Sequence, residues 1–346
     1  MPFTVRIRQW DQPIEVAEGT TILDAAIDAG VPYPFGCQSG NCGACKSFLY
    51  SGEVEMSPYS DFALTDEEKA QGQILACRSV PWADCEVAWL DDDDIVVHPR
   101  RIMTTKIVAL DDMTHDIKRV RLSIEKGGPF TFSAGQYASV TFAGQPARDY
   151  SMANRPDDKV LEFHIRRMAG GKTSEYVATG LKVGDTVKVE GPLGTSHLRD
   201  NHRGPIIAIA GGSGLAPIKS IVETALHKGM KQGIYLYFGV RDERDLYLTA
   251  EFEALAATHA NFNFIPVLSE PSSTTTRRSG FVHEAALSDF DDLDGCKAYL
   301  AGPPVMVEAA TTKLKTRGVR SFDIHADAFY TTAETAALQS KTGTKR

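Results

Sequence analysis

The 346-residue sequence predicts a multidomain protein of mixed α+β and α/β class. Three observations predict it. Four cysteines sit in a short segment of mixed strands and helices, residues 100–200 carry strand patterns with little helical periodicity, and strands alternate with helices from residue 206 onward. This length suits two or three domains, each able to bury its own core. Hydrophobic content of 42% and charged content of 24% are ordinary for a globular chain. No apolar run reaches membrane-spanning length, and Met1–Arg6 alternates as a strand does, unlike a signal peptide.

Charge is distributed unevenly. Residues 1–100 hold 6 Lys+Arg against 17 Asp+Glu, a net of −11, while the remainder carries +3. An acidic first third argues against a nucleic-acid partner. It suits either salt-dependent docking on a basic face or plain solubility.

The first segment reads as strands at 3–9 and 13–17, a helix at Ile22–Ala29, a cysteine loop, a strand at 46–50 and a short helix near 66–71. Its cysteines follow Cys37-x4-Cys42-x2-Cys45, with Cys77 later, which is the plant-type spacing for a 2Fe–2S cluster. Gly40, Gly43 and Ala44 leave the loop free to fold tightly around sulfides. A four-cysteine zinc site usually pairs two short knuckles, and only Cys42 and Cys45 make one. A thioredoxin-type motif would need two cysteines beside a βαβ unit, not four. Cys85 and Cys296 lie far apart in sequence and read as small buried hydrophobes. Such cysteine usage fits the cytoplasm. Asp91–Asp94 followed by Pro99 reads as a solvated linker.

The middle segment alternates at 105–110, 117–123, 136–142, 161–166 and 186–190, the pattern of a small antiparallel barrel. It contains Arg148-Asp149-Tyr150-Ser151, then His164-Ile165-Arg166, then Gly170-Gly171-Lys172-Thr173-Ser174. The last run is no Walker A loop, because Arg166 stands where that motif needs glycine. A Gly-Gly turn opening a short helix at 173–177 still presents free N–H groups to a diphosphate.

In the third segment strands at 206–210, 234–239, 262–268 and 298–300 alternate with helices at 216–228, 250–258 and 304–316. That rhythm implies a doubly wound parallel sheet. The first strand runs into Gly211-Gly212-Ser213-Gly214-Leu215-Ala216-Pro217, which departs from GxGxxG at Pro217. Proline is tolerated in a first helical turn, where its missing N–H has no intrahelical partner, and the glycines allow close approach to a pyrophosphate.

Arg148-x-Tyr150-Ser151, the Gly-Gly-x-x-Ser run, Gly211–Pro217 and Ala301-Gly302-Pro303-Pro304-x-Met306 together resemble the ferredoxin–NADP reductase superfamily. With the N-terminal segment, which resembles the β-grasp of plant-type ferredoxins, the order is that of the reductase components of bacterial aromatic-ring oxygenases. The resemblance spans nearly the whole chain. It implies a β-grasp ferredoxin domain over 1–95, an antiparallel β-barrel FAD domain over 96–202, a doubly wound NAD domain over 203–330 and a frayed tail over 331–346.

It also implies roles. Cys37, Cys42, Cys45 and Cys77 would ligate one 2Fe–2S cluster. FAD would be held by Arg148, Tyr150, Ser151, His164, Arg166, Gly171, Lys172, Thr173 and Ser174. NADH would meet Gly212, Ser213, Gly214, Pro217, Arg241, Glu270, Gly302, Pro303 and Met306. Ser151, Asp327 and Phe329 would serve the chemistry, with Phe329 covering the flavin and Asp327 beside it. Where the plant reductases carry Ser-Arg for a 2′-phosphate, this chain reads Ser269-Glu270, so NADH is expected to be preferred and NADPH tolerated, with Arg277 and Arg278 partly offsetting the carboxylate. The cysteine common before Gly-Pro-Pro is here Ala301. The implied partner is a Rieske-type ferredoxin or an oxygenase component, with the reductase a monomer. A reductase for a di-iron monooxygenase uses the same three modules, and a non-enzymatic redox sensor or zinc module is the reading from a different class.

Overall fold

The structure, a computed structural model, describes residues 2–36, 38–90, 96, 98–331 and 334. It forms two compact units. One is built mainly from the first 97 residues with Gly194–Ser196, the other from His98–Leu193 and His197–Phe329. Cys37, the Asp91–Asp94 linker and nearly all of the 331–346 tail lie outside the described residues.

The first unit runs β1 (Phe3–Ile7), β2 (Ile14–Val16), α1 (Ile22–Asp28), β3 (Lys46–Ser51), β4 (Val54–Met56), α2 (Asp66–Ala70), β5 (Gln73–Leu75), β6 (Ser79–Pro81) and β7 (Cys85–Trp89). Its main sheet has the order β2-β1-β7-β3-β5, parallel only between β1 and β7, and β4 pairs with β6 alone. Helix α1 forms because Ile22, Leu23, Ala25 and Ala26 make one apolar face and Thr21 caps it, accepting from the Asp24 N–H. That face closes a core with Val5, Ile7, Tyr33, Leu75 and Val87. Helix α2 opens on a reciprocal capping box, Thr65 with Glu68. Strands β4 to β7 are additions to the sequence reading. Three of them have only three residues, too few for alternation to register.

The second unit begins with β8 (Arg101–Asp112), β9 (Ile117–Lys126), β10 (Tyr137–Thr141), β11 (Arg148–Ser151), β12 (Val160–Arg166), α3 (Lys172–Thr179) and β13 (Thr186–Leu193). The antiparallel order β11-β10-β13-β8-β9-β12 curls until Met152 bridges Phe163, which nearly closes a barrel. Its interior is the alternate set Met103, Val120, Leu122, Ala138, Val140, Phe163 and Val189. Strand β11 escaped periodicity because only its last residue is buried.

There follow β14 (Ile206–Gly211), α4 (Leu215–His227), β15 (Ile234–Val240), α5 (Thr249–Thr258), β16 (Phe262–Leu268), β17 (Arg278–Ser279), α6 (Val282–Ser288), β18 (Lys297–Gly302), α7 (Pro304–Thr316) and β19 (Ile324–Ala328). The sheet is wholly parallel in the order β17-β16-β15-β14-β18-β19. Helices cover both faces. Ile206, Ala208 and Ala210 pack with α4 and α5, while Ile207 and Ile209 pack with α6 and α7. The order in which strands are added reverses between β14 and β18, so the switch point lies at Gly211 and Gly302. Helix α6, absent from the sequence reading, is seven residues long and has no side-chain cap to announce it.

A buried polar chain joins the barrel to this sheet. His164 Nε2 lies 3.0 Å from Glu162 Oε1, and its Nδ1 lies 3.2 Å from the Tyr247 hydroxyl. Lys219 Nζ sits 3.5 Å from Glu162 and donates to the Ala153 carbonyl. Burial works to raise the Glu162 carboxyl, but the His164 hydrogen bond and the Lys219 charge outweigh it and hold it at about 2. Burial also lowers His164, so the imidazole is neutral and donates Nε2–H.

A depressed carboxylate stabilises the fold above its unfolded value and stops doing so as pH falls through the folded one. Glu162→Gln should therefore destabilise the second unit by about 1–3 kcal/mol at pH 7, with the gap to wild type narrowing below about pH 4.5. Release in urea of the flavin expected on the barrel reads this unit. Tryptophan emission does not, because Trp10, Trp82 and Trp89 all lie in the first unit.

Candidate functional site

In the first unit the loop from Gly36 to Cys45 is wound by glycines. Gly40 and Gly43 hold φ of 76° and 73°. A Cβ on Gly40 would lie 2.9 Å from both Tyr59 and the Arg78 stem, so glycine is required there twice over. A Cβ on Gly36 would come within 3.1 Å of the Cys42 sulfur. Cys45 and Cys77 are buried, and the Ala76 N–H donates to the Cys45 carbonyl, which fastens the second cysteine segment to the first. The Cys45 thiol is pushed well up by its hydrogen bond with Cys77, by burial and by the charges of Cys77 and Cys42. Cys45 and Cys77 are thus hydrogen-bonded in a buried place, with the half-buried Cys42 near enough to add its charge, where ionisation needs a cationic partner. That donor set fits an iron–sulfur cluster.

In the second unit, register decides the site. Tyr137 pairs with Ser151 and Ala138 with Tyr150, which puts Arg148 exposed, Tyr150 half-buried and Ser151 buried along one strand. Ser151 Oγ donates to Asp327 Oδ2 at 2.8 Å across 176 residues. Asp327 sits on β19, opposite Ala301, and the Phe329 N–H donates to the Gly302 carbonyl at 2.9 Å. The three residues expected to serve the chemistry are therefore gathered at the sheet's switch point.

Gly171 is the N-cap of α3, and the first intrahelical bond runs from Glu175 N–H to Gly171 O. The N–H groups of Lys172, Thr173 and Ser174 precede that bond and face outward for an anion. The two hydroxyls play a different part. Ser174 Oγ accepts from the Met168 N–H and Thr173 Oγ1 donates to the Pro146 carbonyl, so both are buried in closing the turn. A Cβ on Gly171 would strike Ser174 Oγ at 2.6 Å.

Two residues expected at the flavin have side chains engaged with other parts of the protein. The His164 side chain has no exposed surface, and both ring nitrogens are engaged within the protein. Arg166 is turned from α3: its Nε donates to Asp116 Oδ2 at 2.7 Å, and its Nη1 lies 3.2 Å from where a Gly212 Cβ would be. Its neighbour Arg167 reaches α3, at Glu175.

Arg166 lines a cavity of about 580 Å³ along the carboxyl ends of the sheet, a size suited to a dinucleotide half. Gly212, Arg241, Ser269, Pro303 and Met306 also line it. The glycines here serve packing first. A Cβ on Gly214 would lie 2.1 Å from the Ala301 carbonyl oxygen, and one on Gly211 would lie 2.6 Å from Met306 Sδ. Gly302, at φ 141°, packs against Gly211. Gly212, at φ 55°, lines the cavity beside the Arg166 guanidinium. Pro217 is buried in the first turn of α4 and Glu270 is exposed beside the cavity, its N–H bound to the Arg241 carbonyl. Sequence reasoning gave no site role to Asp116 and Phe281, which stand on the cavity wall.

Three family models match in series. A 2Fe-2S iron-sulfur cluster binding domain covers residues 5–81, an oxidoreductase FAD-binding domain 104–198 and an oxidoreductase NAD-binding domain 208–312. The reductase component of the naphthalene 1,2-dioxygenase system of Pseudomonas putida is 41% identical over 92% of this chain and 95% of its own. The chain belongs to the reductase components of oxygenase systems. Another member, the reductase component of phenol 2-monooxygenase from Pseudomonas sp. (strain CF600), is 38% identical over 99% of this chain and 98% of its own. The crystal structure of an Amycolatopsis cytochrome P450 reductase superposes with a TM-score of 0.76 at 37% identity, covering 94% of this chain and 98% of that one. The reductase is thus an oxidoreductase of the ferredoxin–NAD(P)+ type with 2Fe–2S, FAD and NAD domains, which sets aside the non-enzymatic reading.

Gly214→Ala tests the packing role. Its new methyl must displace the end of β18, so the variant should lose at least about tenfold in NADH affinity, roughly 1.4 kcal/mol, while retaining FAD. Normal NADH affinity in a stably folded variant would remove the argument.

Proposed function

We propose that the chain takes hydride from NADH onto FAD and releases single electrons through its 2Fe–2S cluster to a Rieske-type ferredoxin, or directly to the oxygenase, of an aromatic-ring dioxygenase system. The Ser151–Asp327 hydrogen bond carries this reading. It ties the strand bearing Arg-x-Tyr-Ser to the switch point where the NAD domain's glycine turns meet. A flavin on that strand and a nicotinamide at Gly302, Pro303 and Met306 would then meet at one place.

Bound FAD supplies the conversion of a two-electron hydride into single electrons, and a bound cluster carries them onward. The chain's residues do the rest. Tyr150 packs against the flavin ring and Phe329 covers it, excluding water. Ser151 Oγ donates its proton to Asp327, and with FAD bound the pair would serve as a relay in which Ser151 passes its proton to the carboxylate as it takes up another from the cofactor. Arg148 and the N–H groups of Lys172–Ser174 hold the FAD diphosphate. Gly212–Gly214, Arg166 and Arg241 hold that of NADH. Cys37, Cys42, Cys45 and Cys77 ligate the cluster. The domains divide at 95, 202 and 330, and the reductase works as a monomer in the cytoplasm, where its cysteines stay reduced. No described helix is long and apolar enough to cross a membrane.

NADH is preferred. Arg277, which could have offset Glu270, is committed to Glu243 at 2.8 Å and Glu253 at 3.5 Å, and Arg278 is committed to Asp289 and Ser288. Glu270 is left facing a 2′-phosphate as an uncancelled like charge. A second reading, supply of a monooxygenase, is favoured by the phenol 2-monooxygenase relative, which matches 99% of the chain. Turnover with each purified oxygenase separates the two.

Cys77→Ser should retain FAD and NADH–ferricyanide activity and lose cytochrome c reduction together with the red absorbance of the cluster. Survival of cytochrome c reduction would remove the cluster from the route. Glu270→Gln should narrow the NADH-over-NADPH ratio of kcat/KM by about tenfold, the effect of removing one screened charge contact. A wild-type enzyme as efficient with NADPH as with NADH would take Glu270 out of the argument.

A further inference from the structure

We propose that Asp116 is a positioning residue for NADH, aiming the Arg166 guanidinium at the dinucleotide's diphosphate. This rests on the NADH reading above and assigns a part to a residue that has none in the sequence reading.

The geometry begins with register. Arg166 is the last residue of β12 and pairs with Ile117, the first of β9. The residue before Ile117 is therefore set beside the Arg166 side chain, and that residue is Asp116. Its carboxylate is itself fixed. Thr114 Oγ1 donates to Asp116 Oδ1 at 2.9 Å, leaving Oδ2 to accept from Arg166 Nε at 2.7 Å. The Arg167 N–H donates to the Asp116 carbonyl at 2.7 Å, so the backbone of the hairpin tip is anchored as well.

An arginine gripped at Nε has one edge occupied and presents its terminal nitrogens elsewhere. Here they lie against Gly212, at the turn that opens α4, and on the cavity wall. The turn Gly212–Gly214 leads into α4 and the Leu215 N–H already bonds the Gly212 carbonyl, so the N–H groups that start the helix are those of Gly212, Ser213 and Gly214. Guanidinium and helix start thus converge on one anion position, and the planar fork suits two phosphate oxygens. Arg166 is about a third exposed. Without the carboxylate such a long side chain would sample many rotamers in solvent, and NADH would have to order it on binding.

The test uses the intact holoenzyme and ADP-ribose, which carries the diphosphate and no nicotinamide. Asp116→Ala should weaken ADP-ribose binding about tenfold, roughly 1.4 kcal/mol, and the change in NADH kinetics should fall on KM far more than on kcat. Asp116→Asn, which keeps an oxygen for Nε, should recover most of that loss and stands in if the alanine variant fails to fold. Arg166→Gln should weaken binding at least as much, and the double variant Asp116→Ala/Arg166→Gln should be no worse than Arg166→Gln alone. Additive losses, or unchanged ADP-ribose binding by Asp116→Ala, would overturn the role of Asp116. If ADP-ribose fails to compete with NADH in the wild type, the assignment of NADH to this cavity is what fails.

Discussion

Two glycine turns pressed against each other hold the site of this reductase together. Gly214 leaves no room for a methyl against the Ala301 carbonyl, and Gly302 lies on Gly211. These contacts bring the ends of β14 and β18 together where the order of strand addition reverses, which is where an open α/β sheet forms its crevice. The start of α4, the Pro303–Met306 turn and the Phe329 N–H are all fixed relative to that one approach. Bulk at either turn would part the strands and dissolve the cavity.

Around that seam the second unit uses polar groups to lock two different architectures. A barrel and a parallel sheet share an apolar interface containing Ile117, Ala134 and Leu198, and apolar contacts alone fix orientation weakly because they are non-directional. The chain through Glu162, His164, Tyr247 and Lys219 adds direction, as does Ser220 Oγ donating to the Asn154 carbonyl at 2.7 Å. A neutral imidazole between an ionised carboxylate and a phenol hydroxyl satisfies each buried group. Ser151 with Asp327 does the same at the switch point, so one hydrogen bond joins two layers of the fold.

Charge on the cavity wall is arranged by pairing. Arg166 is held by Asp116 in a place where its terminal nitrogens face an anion, whereas Arg277 and Arg278 are turned aside to carboxylates. On the proposed NADH reading, the same residue type is kept for the diphosphate and withheld from the 2′ position, and coenzyme selectivity would rest on which arginines have partners as much as on Glu270.

By itself the sequence determined the class of each part and most of its chemistry. Cysteine spacing named the metal centre, the alternation at residues 206–316 named the parallel sheet, and Arg148-x-Tyr150-Ser151 marked the flavin strand, because these signals are local and carried by backbone period or ligand spacing. The tertiary structure decided what depends on contacts remote in sequence. The His164 side chain belongs to a buried network, since Tyr247 comes to it from another layer. Arg166 serves the cavity because strand register sets Asp116 beside it. Gly211 and Gly214 are required for packing against β18, about 90 residues onward in the chain. Asp327 meets Ser151 only because β19 closes the sheet beside β18. No local pattern encodes a pairing across 176 residues; it exists only once register and layer packing have fixed both strands.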